Sequence, residues 1–207
     1  ARGMRLVGAD LSGMDLSGAD FSGAALEDAN LEGALLANAN FNGAVLARAR
    51  LSRASLADAT LRGANLGGAQ CEFADFSGAD LSEANCEKTR FVSCNMANTT
   101  FDQTRLGESE ISRCDFRGSD WHQVFLTKLH MNGIAFDGAS FRQVVWLECT
   151  LADVRFVNAS LVRCGFVTTD CSQAADFSDA RLDACSFAHG STLATAVLRR
   201  CVLKHCG

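Results

Sequence analysis

Residues 19–33 read Ala-Asp-Phe-Ser-Gly, Ala-Ala-Leu-Glu-Asp, Ala-Asn-Leu-Glu-Gly, three groups of five with alanine at the head and a large apolar residue at the centre. Stepping outward from this stretch by fives, from Leu6 to Cys171, meets 34 consecutive apolar residues: 16 Leu, 10 Phe, 3 Cys, 2 Met, 2 Trp and Ile111. A second column lies two residues before the first. Every member from Ala19 to Ala84 is Ala, and from Thr89 the column admits Thr, Cys, Ser, Val, Leu129 and Ile134. The other three positions of each five hold nearly all the charged and amide side chains, together with Gly and Ser. A period of five fits neither a helix nor a strand taken alone. A large and a small apolar residue two apart, followed by a polar corner, describe a very short extended segment and a turn.

The 207 residues include no Pro and no Tyr. A chain of this length ordinarily uses several prolines at turns, so the turns here are of one kind, repeated and made without it. The net charge is −5 and the pI about 5.3, a mild acidity that excludes little. No apolar run approaches the length of a membrane span, and no basic-then-apolar start marks a signal peptide.

The units Ala-Asp-Leu-Ser-Gly at 9–13, Ala-Asp-Phe-Ser-Gly at 19–23 and 74–78, and Ala-Asn-Leu-Glu-Gly at 29–33 resemble the A(D/N)LXX signature of the pentapeptide-repeat family. The resemblance runs over essentially the whole chain. It implies an all-β fold, a right-handed quadrilateral β-helix in which four pentapeptides make one coil and both apolar columns point inward. Residues twenty apart then stack, about 4.8 Å from coil to coil, and roughly ten coils make a rod about 48 Å long. One side stacks Leu16, Leu36, Leu56, Phe76, Met96, Phe116, Phe136 and Phe156, and the next stacks Phe21, Phe41, Leu61, Leu81, Phe101, Trp121, Phe141 and Leu161.

One solenoid domain is expected over residues 1–207, with regular repeats over 4–171 and one-residue insertions within 172–177 and 188–193. Such insertions read as bulges or small corner loops. Neither end carries a recognisable cap, and a solenoid needs caps. The chain is therefore expected to be a piece of a longer protein.

The ten cysteines fall in the inward columns, Cys71, Cys86 and Cys171 in the large one and Cys94, Cys114, Cys149, Cys164, Cys185, Cys201 and Cys206 in the small one. There they serve as small hydrophobes. Free buried thiols suit a reducing compartment, the bacterial cytosol. Zinc is not expected at Cys201, His205 and Cys206, because the histidine faces outward and the cysteines inward. The four histidines lie on outward or loop positions, with no nucleophile context and no phosphate loop. No catalytic residue, metal or cofactor is expected. Asp10, Asp15, Asp20, Asp75 and Asp80 each precede a large inward residue, where the signature itself favours Asp or Asn.

Two surface ladders follow from the stacking. Lys88, Glu108, Lys128 and Glu148 alternate in sign along one face, and Gln103, Gln123 and Gln143 stack on another face as an amide ladder. The same charged side holds four apolar residues at outward positions that are usually polar in this chain: Phe125 and Val145 just before the inward column, Leu147 and Val167 just after it. Clustered apolar residues on a surface mark a contact for a partner.

Two functions of different kinds are expected. The first is a non-catalytic scaffold or protein–protein interaction module within a larger bacterial protein, its partner an unidentified protein. At family level such tracts also occur appended to type VI secretion accessory proteins. The second, implied by the resemblance alone, is mimicry of DNA towards gyrase, with protection against quinolones. Charge argues against it: about 48 Å of duplex carries roughly 28 negative charges, whereas this chain sets 24 acidic residues against 19 basic ones. The dimerising helical end expected of such mimics is also missing. Direct nucleic-acid binding is not expected, since no basic aromatic surface is present.

Overall fold

A computed structural model describes residues 1–193 and 195–207. The chain winds as a four-sided β-helix. Isolated parallel bridges join residues twenty apart from Arg5–Ala25 to Ala135–Arg155. Three sides become parallel sheets of three-residue strands, with Asp170–Gln173 one residue longer. One sheet contains Arg90–Val92, Glu110–Ser112, His130–Asn132, Thr150–Ala152 and Asp170–Gln173. A second contains Thr100–Asp102, Asp120–His122, Ser140–Arg142, Ser160–Val162, Arg181–Asp183 and Val202–Lys204. The third contains Phe125–Thr127, Val145–Leu147, Gly165–Val167 and Ser186–Ala188. The fourth side, which carries Phe116, Phe136 and Phe156, keeps tight turns throughout.

Both columns point inward as the pattern requires. From Phe21 to Leu182 the large residues are buried, with flat rings stacking from coil to coil. Phe116, Phe136 and Phe156 follow one another at 5.2 Å, and Phe156 meets Phe177 at 4.7 Å. Trp146, Phe166 and Phe187 form a second stack at 4.5 and 4.7 Å. Eight of the cysteines are buried, while Cys201 and Cys206 are only half-buried, which corrects the expectation that all ten lie in the core. Both belong to the last coil described, which has a neighbour on one side only, and Leu6 and Leu11 in the first coil are half-exposed for the same reason.

Polar backbone groups are satisfied between coils and within turns. Around Leu26, the amides of Ala25, Leu26 and Asp28 donate to carbonyls of Met4, Val45 and Ala47 at 2.9, 2.7 and 3.0 Å. The turn is closed by the Ala29 amide donating to the Leu26 carbonyl at 3.1 Å. Along the regular repeats the residue two after a large one adopts left-handed backbone, for example Gly23 at φ 64° and Asp28 at φ 58°, and at the bulge after Cys171 it is Ala174. Glycine takes that conformation freely and Asn or Asp with little strain, which accounts for the polar corner.

Near the end the register shifts. Asp170 pairs with Thr150, but Gln173 pairs with Ala152, so one strand gains a residue against its neighbour. Beyond this bulge Arg155 faces Asp176, and Asp170 faces Thr192. Ser191 fills the second irregularity, its hydroxyl accepting the Thr169 amide at 3.0 Å and donating to the Phe166 carbonyl at 2.8 Å.

Candidate functional site

Which sides become sheets is decided by the small inward residue that follows each turn. Where it is Ala or Ser, away from the bulge, the turn bond forms: Ser109 to Leu106, Ser119 to Phe116, Ala139 to Phe136 and Ala159 to Phe156, at 3.3, 3.1, 3.0 and 3.0 Å; at the bulge Ala175 follows the strand Asp170–Gln173 instead. Between residues 90 and 186, Cys, Val, Leu or Ile at that position always follows a strand. Among the described residues no such bond joins Cys94 to Phe91 or Leu129 to Leu126. A bulkier inward group spreads the corner, and the preceding three residues straighten. Threonine occurs with both, following turns at Thr89 and Thr99 and strands at Thr104 and Thr169.

Cysteine and threonine then do more than fill space. Cys114 Sγ donates to the Phe91 carbonyl and Cys149 Sγ to the Leu126 carbonyl, both at 3.2 Å. Thr169 Oγ1 donates to the Trp146 carbonyl at 3.0 Å. Each of these carbonyls belongs to the central residue of a strand in the coil before and has lost its turn donor. Burial raises the Cys149 thiol, which therefore stays protonated and able to donate.

The third sheet gathers all four residues singled out from the sequence. Phe125 pairs with Val145, and Leu147 pairs with Val167. Phe125 is 67% exposed, and the other three are half-buried. Their companions at outward positions are Thr127, Gly165, Ser186 and Ala188, so no outward side chain of this sheet is ionisable. The other two sheets differ. One presents Arg90, Glu110, His130 and Asp170, and the other Asp102, Asp120, Arg142, Arg181, Asp183 and Lys204.

Charge returns at the margins of the uncharged sheet. Along one edge Lys88 meets Glu108 at 3.6 Å and Lys128 meets Glu148 at 3.7 Å, two pairs of the anticipated alternating ladder. Along the opposite corner Gln123 Nε2 donates to Gln143 Oε1 at 3.2 Å. A hollow of about 620 Å³ opens where this corner meets Phe125, Thr127, Arg105 and Gly107.

The pattern did not reveal that hollow, nor did it distinguish Phe73. That ring is 59% exposed on a left-handed corner, with the Arg53 guanidinium 5.9 Å from its centroid. His205 pairs with Asp183 at 3.0 Å, while the Cys206 thiol lies 3.5 Å from the Leu182 carbonyl. The signature carboxylates serve the turns: Asp10 accepts the Ser12 hydroxyl at 2.7 Å and its amide at 3.1 Å, Asp15 acts alike on Ser17, and Asp20 accepts the Ser22 amide at 2.9 Å. Among the described residues no helix is long and apolar enough to cross a membrane.

A four-sided parallel β-helix with stacked inward columns defines a pentapeptide-repeat solenoid. The Pentapeptide repeats family matches residues 1–33, 29–68 and 69–107 in eight copies, and the chain belongs to that family. No curated protein sequence matches it. Among solved structures it is similar to HetL, a pentapeptide-repeat protein involved in heterocyst differentiation regulation in the cyanobacterium Nostoc sp. strain PCC 7120. That match has 22% identity and a TM-score of 0.66 over 98% of this chain and 86% of HetL. It is also similar to a trypsin-treated form of QnrB1, a plasmid-mediated fluoroquinolone resistance protein, with 16% identity and a TM-score of 0.60 over 89% of each chain. At these identities both likenesses concern the fold.

Proposed function

We propose that this chain is a non-catalytic protein–protein interaction module of a larger bacterial protein, and that it meets its partner through the sheet containing Phe125. One observation carries the reading: of the three sheets, this one has no ionisable outward side chain. Covering a charge without pairing it costs free energy, so an uncharged strip is the side a partner covers most readily. Its layout supports the same reading. An apolar centre of Phe125, Val145, Leu147 and Val167 is rimmed by Lys128, Glu148, Gln123 and Gln143, the arrangement common to protein interfaces. The free thiols suit work in a reducing cytosol.

Capture of partners from bacterial lysate tests it, with the unchanged chain beside a Phe125→Ser/Val145→Ser double variant. A partner lost from the variant, at an unchanged melting temperature, is the expected result. Retention of every partner would sink the reading.

The QnrB1 likeness favours a second reading, a rod that takes the place of DNA on gyrase. The electrostatics favour it less. Along this rod acidic groups are repeatedly neutralised by arginine: Asp28 by Arg48, Glu32 by Arg50, Asp80 and Glu83 by Arg62, Glu110 by Arg90 and Asp137 by Arg155, at 2.6 to 3.1 Å. A duplex presents unpaired phosphates along its length. Gyrase recovered equally with both forms of the chain would promote this reading over the first.

A further inference from the structure

The outward position just after each large core residue forms a row along the uncharged side: Glu87, Gly107, Thr127, Leu147, Val167. At Gly107 the row lacks a side chain. The backbone also changes course there. Leu106–Ser109 closes as a turn, with the Ser109 amide 3.3 Å from the Leu106 carbonyl, whereas the next coil runs as the strand Phe125–Thr127. The missing side chain and the step in the backbone coincide with the 620 Å³ hollow, within the range of sites that hold small organic groups.

Its chemistry selects an occupant. Two lining residues are ionisable, Glu87 and Arg105, and they face each other at 4.0 Å, offering a ligand no net charge. Phe125 stands at the edge with most of its ring in solvent, placed to stack on another ring. Gln103, Gln123 and Gln143 line the opposite corner. Each primary amide has two donors and an acceptor, so the bond between Gln123 and Gln143 leaves capacity for more.

We infer that this hollow receives an uncharged aromatic side chain of the partner protein, with Phe125 stacking on it and the glutamine amides binding the backbone that carries it. The inference rests on the interaction reading above and narrows it to a recognised residue class. Gly107 is then a specificity-determining residue, because its missing side chain makes room for the partner's.

The probe is N-acetyl-phenylalaninamide, a neutral blocked amino acid, titrated into isotope-labelled protein while the side-chain amides of Gln103, Gln123 and Gln143 are followed by NMR. Saturable shifts are expected, with a dissociation constant on the order of 1 mM. Gly107→Leu should abolish them without harming the fold. Its backbone lies outside the left-handed region, and an added Cβ would sit 3.7 Å from Glu87 Cγ, an ordinary contact. Blocked aspartate should produce no shift. The absence of saturable shifts in the unchanged protein, equal shifts with blocked aspartate, or shifts that survive in Gly107→Leu would each overturn the inference. Lysate capture separates the two levels. A partner lost from Phe125→Ser/Val145→Ser but kept by Gly107→Leu leaves the interaction module standing and removes the aromatic anchor from it.

Discussion

Before Arg90 and after it, the same coil is built with two different corners. In the first part the small column is Ala at every position from 19 to 84, and every side is a chain of tight turns joined by single bridges. In the second part three sides straighten into strands and the fourth does not. The fourth side serves as an internal control. It shares stacked aromatic filling with two of the three sheets, yet its turns are followed by Ser119, Ala139, Ala159 and Ala180, and it remains a run of turns. The small inward residue, more than the large one, therefore decides whether a side is a knobbly edge or a flat strip. The uncharged strip begins at the coil where Leu129 replaces Ser109 in its column.

The sharpest way to break this comparison is to attack what the two regions share. Leu56 and Phe101 are fully buried members of the large column on either side of the boundary. Leu56→Asp and Phe101→Asp should each cost more than about 5 kcal/mol, because an unpaired carboxylate would lie between stacked coils. Thermal melts followed by circular dichroism should show both unfolding or strongly destabilised. A near-native melt for either would refute the inward register in that region.

Next in size is a change that should convert one corner into the other. Leu129→Ala removes a buried side chain from the column beneath the Phe125 strand and should cost about 3 kcal/mol. It should also let residue 129 close a turn on the Leu126 carbonyl, as Ser109 does on Leu106. Partner capture should then fall although Phe125 and Val145 are untouched. If the amide of residue 129 exchanges as fast in the variant as in the parent, no turn bond has formed and the small column does not control the corner. The reverse change, Ala39→Val, should overpack the first region by about 1–3 kcal/mol and break the bond from the residue 39 amide to Leu36, now 3.0 Å.

A smaller effect tests the polar role of the column. Cys149→Ala removes the thiol that donates to the Leu126 carbonyl and should cost about 1 kcal/mol in excess of its lost volume. Cys149→Thr should restore that hydrogen bond, since Thr169 makes the same contact to Trp146 one coil on. Denaturant midpoints compare the three. Equal stability of the Ala and Thr variants would leave the cysteines as space-fillers.

Much of this was legible in the residues, because inward positions obey one rule at a time. The period of five sets the register, and twenty-residue stacking alone brings Phe125, Val145, Leu147 and Val167 together. The corner was harder to read. Gly13, Gly18, Gly23 and Gly33 all stand two after a large residue, a signal for left-handed backbone that charged residues at the same position elsewhere obscured. The choice between turn and strand depends on pairing each turn with the small residue after it, side by side around the coil, and a linear pattern conceals that. In the sequence nothing separates Gly107 from the turn glycines, although it lies one position away from the left-handed corner at Glu108. Its hollow exists only because two kinds of corner meet in adjacent coils. Cysteine was read by size, which hid its service as a donor to a carbonyl twenty-three residues earlier.

The smallest expected effect separates the regions by acid. Asp10, Asp15 and Asp20 follow one another around the first coil, and each is held below the ordinary value of 3.8, first by the hydroxyl and then by the amide of the serine two residues on. A carboxyl whose folded value is depressed contributes stability that is fully present above the unfolded value and is lost as pH falls through the folded one. These turns should therefore loosen below pH 3.8, while the coils around Phe141 and Leu161, filled with stacked rings, hold. Hydrogen exchange at Leu26 and Leu31 against Phe141 and Leu161 would measure the difference. Asparagine supplies the check, because Asn30 and Asn40 already accept the amides of Glu32 and Asn42 without titrating. A triple Asp→Asn variant at positions 10, 15 and 20 keeps the acceptors and removes the proton linkage. Its first coils should stay protected at the pH where the parent's open. If they open together, the acid sensitivity lies elsewhere in the rod and the turn carboxylates are not its cause.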